Sequence, residues 1–195
     1  MRALSATVLT LLFAIGCSSE SESSSGGEGG SVPFEGPRGA VNMEVYASEA
    51  QTCPPGNLHV DMGNPRTDPP LQVEDGRGGA TVACTVSHSG SQYAANGTIT
   101  KGDASFSFSD VVIDDDLPSA LGMVAFVDAD GVQYQSQSAK PCVFQFAPQT
   151  EQGVVAGRIF VQFDCTSLVS AADPANDCSS RYGYVLVQGC EKNAP

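Results

Sequence analysis

A chain of 195 residues with 22 acidic and 9 basic side chains has a formal charge of −13. Such a surface repels phosphate backbones and anionic headgroups, which argues against nucleic acid as a partner. There are seven cysteines but no CxxC pair, and only two histidines with neither HxH nor HExxH, so neither a thioredoxin-type redox motif nor a histidine zinc site is indicated.

The chain opens on Met1-Arg2, followed by the apolar run Leu4 to Ile15. That run is too short for a membrane span of ~20 residues and reads as a signal-peptide h-region. It ends in Ala14-Ile15-Gly16-Cys17, which resembles the lipobox of bacterial lipoproteins. The resemblance implies a signal peptide over 1–16, cleavage before Cys17, and acylation of that cysteine. Ala14-x-Gly16 would also suit ordinary secretion. Cysteine parity favours the lipid, because acylating Cys17 leaves an even set: Cys53, Cys84, Cys142, Cys165, Cys178 and Cys190. Several acyl chains hold a protein on a membrane stably, where one does not.

Residues 17–39 are expected to be the lipidated cysteine and a Ser/Gly/Glu tether with almost no apolar side chains before Val32. It cannot bury enough surface to offset its ordering entropy, and spans ~25 Å as a flexible chain. Ser18 stands where Asp would be the usual inner-membrane retention signal, so by the same resemblance the outer membrane is favoured over the inner. Arg2 leaves with the signal, so the mature chain has 8 basic residues against 22 acidic, a net −14.

Residues 40–195 form one domain large enough for a core. Apolar residues alternate at Val41, Met43 and Val45, at Leu58, Val60 and Met62, and at Val82, Cys84 and Val86, each set predicting a half-buried strand. Pro65 to Gly79 reads as a loop and Ser89-Gly90-Ser91 as a turn. Tyr93 to Thr100 is a strand in which Asn96-Gly97 marks a bulge or a second turn; the sequon Asn96-Gly97-Thr98 is read as turn chemistry rather than glycosylation. After Lys101-Gly102-Asp103, Ala104, Phe106 and Phe108 alternate until the phase slips at Asp110, which predicts a bulge. Leu121–Val127 and Val132–Gln135 flank a hairpin turn. Cys142, Phe144 and Phe146 make another inward set, Val154–Cys165 the longest strand, Thr166–Ser180 a long loop, and Tyr182–Cys190 the last strand. No helical period occurs after the signal. The expected fold is all-β: an antiparallel β-sandwich of about nine or ten strands with disulfides, a partly open β-barrel being the alternative. Outward Ser, Thr, Gln and charge argue against a membrane barrel.

Six cysteines in an exported domain imply up to three disulfides. Cys84, Cys142 and Cys165 share the apolar phase of their strands, and Cys84–Cys165 is the expected inter-strand bridge. Cys53 and Cys178, beside Pro54 and Asp177, are expected in loops that they pin to strand ends.

Candidate chemistry is sparse. His59 is on the outward phase of its strand and His88 ends another, and no nucleophile-elbow pattern accompanies either, so no catalytic residue is assigned. The oxygen clusters Asp114-Asp115-Asp116 and Asp128-x-Asp130-Gly131 read as acidic surface turns, with calcium as an alternative. No cofactor is called for. Tyr134, Tyr182 and Tyr184 are candidates for a carbohydrate-binding face. The plan of lipobox, Ser/Gly tether and β domain with Cys84 early and Cys165 late resembles the LpqH-type surface lipoproteins of mycobacteria, over about half the chain. Four further cysteines and a C-terminal extension depart from that plan, and it implies no catalytic residues. The expected function is a non-enzymatic, lipid-anchored envelope module with a protein or glycan partner. The alternatives are a hydrolase with an unrecognised site or a calcium- or carbohydrate-binding module.

Overall fold

A computed structural model describes residues 35–47, 52–53, 58–114, 117, 119–128, 130–146 and 151–192. Cys17, the signal, most of the expected tether, Asp115 and Asp116 lie outside the described residues. By contacts the chain divides after Pro33, and every described residue belongs to the second unit, Phe34–Pro195.

That unit is all-β. Its strands are β1 (Arg38–Tyr46), β2 (Leu58–Met62), β3 (Val73–Glu74), β4 (Ala80–Ser89), β5 (Gln92–Lys101) and β6 (Ala104–Asp114), then β7 (Ser119–Val127), β8 (Gln133–Gln135), β9 (Cys142–Gln145), β10 (Gly153–Val155), β11 (Arg158–Ser170) and β12 (Asp177–Gln188). Strand β1 opens at Arg38, so the sheet takes up the last two residues of the span expected as tether.

The twelve strands form one sheet, in the order β2-β1-β12-β11-β8-β7-β6-β5-β4, and every strand pair is antiparallel. The remaining strands share positions with their neighbours. β2 and β3 both pair with β1, one after the other, separated by the excursion 63–72. β8, β9 and β10 follow one another along β11, with an excursion at 136–141 between the first two. Because β8 and β9 also both pair with β7, the elements β7, β8, β11 and β9 close a small four-strand ring. The sheet therefore has nine positions, two of them broken by loops.

The sheet folds over so that one face encloses the core. Phe106 on β6 lies 5.5 Å from Phe163 on β11, and Phe144 on β9 lies 5.6 Å from Phe163 and 6.2 Å from Phe108. These tilted rings bury large apolar area and join the two halves of the sheet. Gly39 on β1 faces Ile99 on β5, and a Cβ there would come within 2.7 Å of the Ile99 side chain. The far edge meets the chain's end. Val86 N–H donates to the Glu191 carbonyl (2.9 Å), Glu191 N–H to the Cys84 carbonyl (3.0 Å), and Gly157 N–H to the Val86 carbonyl (2.9 Å). Edge groups of β4 that would otherwise invite another chain are thereby used.

The disulfides are Cys53–Cys178, Cys84–Cys190 and Cys142–Cys165. The expected Cys84–Cys165 bridge does not form. Cys165 is one step beyond the Phe163–Phe144 and Asp164–Val143 pairs of β11 and β9, which puts it opposite Cys142 with Cα atoms 4.3 Å apart. Cys84, on the outermost strand, instead meets Cys190 at the seam, reinforcing the Glu191 bonds. Cys178 is inside β12 rather than in a loop. The expected loop at 166–180 is mostly strand, shrinking to residues 171–176 between β11 and β12.

Of the two readings of Asn96-Gly97, the bulge holds and the turn does not: both residues lie within continuous β5, so the sequon is not turn chemistry. The β5–β6 register shifts between Ala95 and Gly97, opposite Asp110, whose φ is 57°. The Asn96 side-chain oxygen accepts the Asp110 N–H at 3.0 Å, so the two residues singled out in the sequence hold one bulge.

Candidate functional site

A second irregularity shapes the outer face. Phe163 pairs with Gly183 and Cys165 with Ser180, so Asp164 alone faces both Arg181 and Tyr182. The pairing of β1 with β12 shifts at the same place. The extra residue makes β12 bulge, and consecutive Arg181 and Tyr182 are both exposed where a regular strand would turn one inward. Tyr182 has φ of 57°, an unfavourable conformation for a bulky side chain. Asp164 holds it there: Oδ1 accepts the Tyr182 N–H at 2.7 Å, and Oδ2 accepts from Gln145 Nε2 at 3.2 Å. Gly183 is required beside it, since a Cβ would stand 2.5 Å from the Phe163 ring. A few residues on, Cys165–Ser180 gives way to Leu168–Cys178, and a compensating bulge at Thr166-Ser167 in β11 restores the register.

Between the bulges lies a groove of about 480 Å³. Tyr46, Asp164, Thr166, Ser179, Ser180 and Arg181 line it, with Val143 on one side. Burial raises the Tyr46 phenol above its ordinary range, opposed by the Arg181 charge and reinforced by Asp164 and Tyr182, so its hydroxyl stays a donor. Arg181 makes no ion pair among the described residues. Ser180 is 1% exposed, and its Oγ has no hydrogen-bond partner among the described residues. Buried hydroxyls are ordinarily satisfied, so this one marks a place where hydrogen bonding is incomplete. Tyr182, 66% exposed, stands at the rim.

A smaller groove of about 330 Å³ lies on the same face, between residues 65–68 and Glu151-Gln152, with Phe160 and Tyr184 among its lining residues. Arg66 stacks over the Tyr184 ring at 4.8 Å, so one face of that ring is occupied.

The candidate tyrosines thus separate. Tyr182 and Tyr184 share the outer face of β12. Tyr134 does not join them: it is 2% exposed and stacks on Phe126 at 5.0 Å in the core, because position 134 on β8 points inward. The histidines are apart from the groove. His59 on β2 sits opposite Glu44, and His88 stacks on Tyr93 at 4.3 Å at the tip of the β4–β5 hairpin. Asp128 Oδ1 accepts the Asp130 and Val132 N–H groups, each at 2.9 Å, as the cap of the β7–β8 turn. Asp114 ends β6. Among the described residues no group of three or more His, Cys, Asp or Glu is placed to hold a metal.

No protein family, curated protein or solved structure matches the chain. Tyr46, Asp164, Ser180 and Arg181 were not singled out in the sequence. The signal was a phase slip, since Cys178 is buried on even numbering while Gly183, Val185 and Val187 are buried on odd.

Proposed function

We propose that the chain is a bacterial envelope lipoprotein, anchored through acylated Cys17 and displaying a non-enzymatic binding domain whose contact face is the outer side of β1, β11 and β12. One observation carries the anchoring: the three disulfides use all six other cysteines, leaving Cys17 as the odd thiol. Three disulfides agree with an oxidising compartment outside the cytoplasm. By the lipobox resemblance Ser18 favours the outer membrane. The binding role is supported by the strained, exposed Tyr182 and the groove beside it, since bulges and sterically costly backbone gather where a side chain must be re-aimed for use.

Two experiments test this reading. Mass spectrometry of the mature N-terminus should find Cys17 carrying a thioether-linked diacylglyceryl group, with or without an amide-linked acyl chain. Cys17→Ala should move the protein from the detergent to the aqueous phase without changing its circular dichroism. An unmodified N-terminus, or a wild type that stays in the aqueous phase, would refute the anchor.

A further inference from the structure

We propose that the groove bounded by Tyr46, Asp164, Ser180 and Arg181 binds a neutral saccharide, with a sugar ring packed against Tyr182. The inference rests on the binding-face reading above and names its ligand.

The groove supplies the two kinds of surface a sugar presents. A pyranose has an apolar C–H face and a rim of hydroxyls that both donate and accept. The exposed Tyr182 ring meets the first, and the apolar floor continues through Val143 to Leu121, which face each other across β9 and β7 and are 37% and 59% exposed. Donors for the second are the Arg181 guanidinium and the Tyr46 hydroxyl. Acceptors are the remaining lone pairs of Asp164 and the hydroxyls of Thr166 and Ser179.

Charge selects among polar ligands. The lining holds one cation, Arg181, and one anion, Asp164, so it is formally neutral within a protein of charge −13. An anionic ligand would approach against the field of the whole molecule. A cationic ligand would meet Arg181 and a carboxylate whose two oxygens already accept hydrogen bonds. A peptide added as a strand needs a free sheet edge. This groove lies on the face of β11 and β12, both of which are paired along both sides. An uncharged polyol needs neither a net field nor an edge.

The test is affinity electrophoresis of the purified full chain through gels containing an α-glucan, a β-glucan, a galactomannan or a polyuronate, with a glycan array as the wider screen. At least one neutral glycan should retard the protein, and the polyuronate should not do so preferentially. Tyr182→Asn removes the ring but tolerates positive φ, and should weaken that binding at least tenfold. Arg181→Met should do likewise. Val112→Ser, exposed on β6 outside the groove, should leave it unchanged. Retardation by the polyuronate alone, binding unaffected by Tyr182→Asn, or no neutral glycan bound in gel or array would each overturn the saccharide assignment. A photo-crosslinking residue at Thr166, exposed on β11 in the groove lining, separates the two readings in intact cells. With no glycan bound, a protein adduct there leaves the binding face standing and refutes only the ligand class, whereas no adduct refutes both.

Discussion

Removing the seam disulfide by Cys84→Ala with Cys190→Ala tests how the sheet is held closed. Its cysteines are 106 residues apart, and a cross-link of that span restricts the unfolded chain by about 4.8 kcal/mol. The Cys53–Cys178 bridge remains, however, and shortens the route. In the unfolded chain, Cys84 reaches Cys190 by going back to Cys53, across, and on from Cys178, a detour of about 43 residues. The expected loss is therefore about 4 kcal/mol. The Cys142–Cys165 bridge, 23 residues apart and nested inside the others, has no shorter detour and should contribute about 3.4 kcal/mol. So the seam and nested variants should differ by less than 1 kcal/mol despite the large difference in sequence separation. Urea unfolding followed by circular dichroism measures both. Hydrogen exchange supplies the local readout: in the seam variant the Val86 and Glu191 amides should lose protection first, because their bonds lie beside the lost bridge. A seam variant losing less than about 2 kcal/mol, with these amides still protected, would show that the edge is closed by packing alone and that the loop-entropy reasoning fails here.

Other substitutions probe the site and core. Gly183→Ala places a methyl group 2.5 Å from the Phe163 ring and should destabilise by about 1–3 kcal/mol, read as a lowered melting temperature; an unchanged midpoint would mean β12 can shift freely there. Ser180→Ala removes a buried hydroxyl with no partner among the described residues and should be neutral or stabilising, whereas a loss above about 1 kcal/mol would reveal a bond that hydroxyl makes. Burial, reinforced by Asp128, raises the Tyr134 phenol above 10.0, so the unfolded chain loses that proton first and stability falls as pH rises past 10. Tyr134→Phe keeps the stack on Phe126 and should flatten that decline in urea titrations at pH 9 to 11; an unaltered slope would assign the decline to other groups.

Alternation in the sequence made most of the sheet legible, because a half-buried strand repeats every two residues and a slip of one flips every side chain. That is why Phe106 and Phe108 could be assigned inward and a bulge placed at Asp110, and why the fold class followed. The order of strands could not be read, since nothing local tells Cys165 that its neighbour is β9 rather than β4; hence the mistaken pairing. The candidate site was less legible still. Residues 166–180 are rich in Ser, Asp and Pro and read as a loop, although Ser167, Ser170, Ser179 and Ser180 are all buried polar residues of strands. Their polarity hid the two slips that the same parity test would have found.

The position of the groove follows from those slips. A lone bulge in β12 would leave every later residue out of register with β11 and turn its core side chains outward. The second bulge, in β11, cancels the shift within a few residues, so Leu168 and Cys178 return to the interior while Arg181 and Tyr182 stay outside. The pair of bulges therefore changes the outer face without altering the packed one. Residues 63–68 and Glu151-Gln152 act in the same sense, lying beside the outer-face residues Ala40 and Phe160. A fold held by three disulfides and a continuous sheet can carry such departures because its stability lies elsewhere. Apart from the bulge at Asp110 in β6, its irregularities gather on the outer side of β1, β11 and β12, the face proposed for binding.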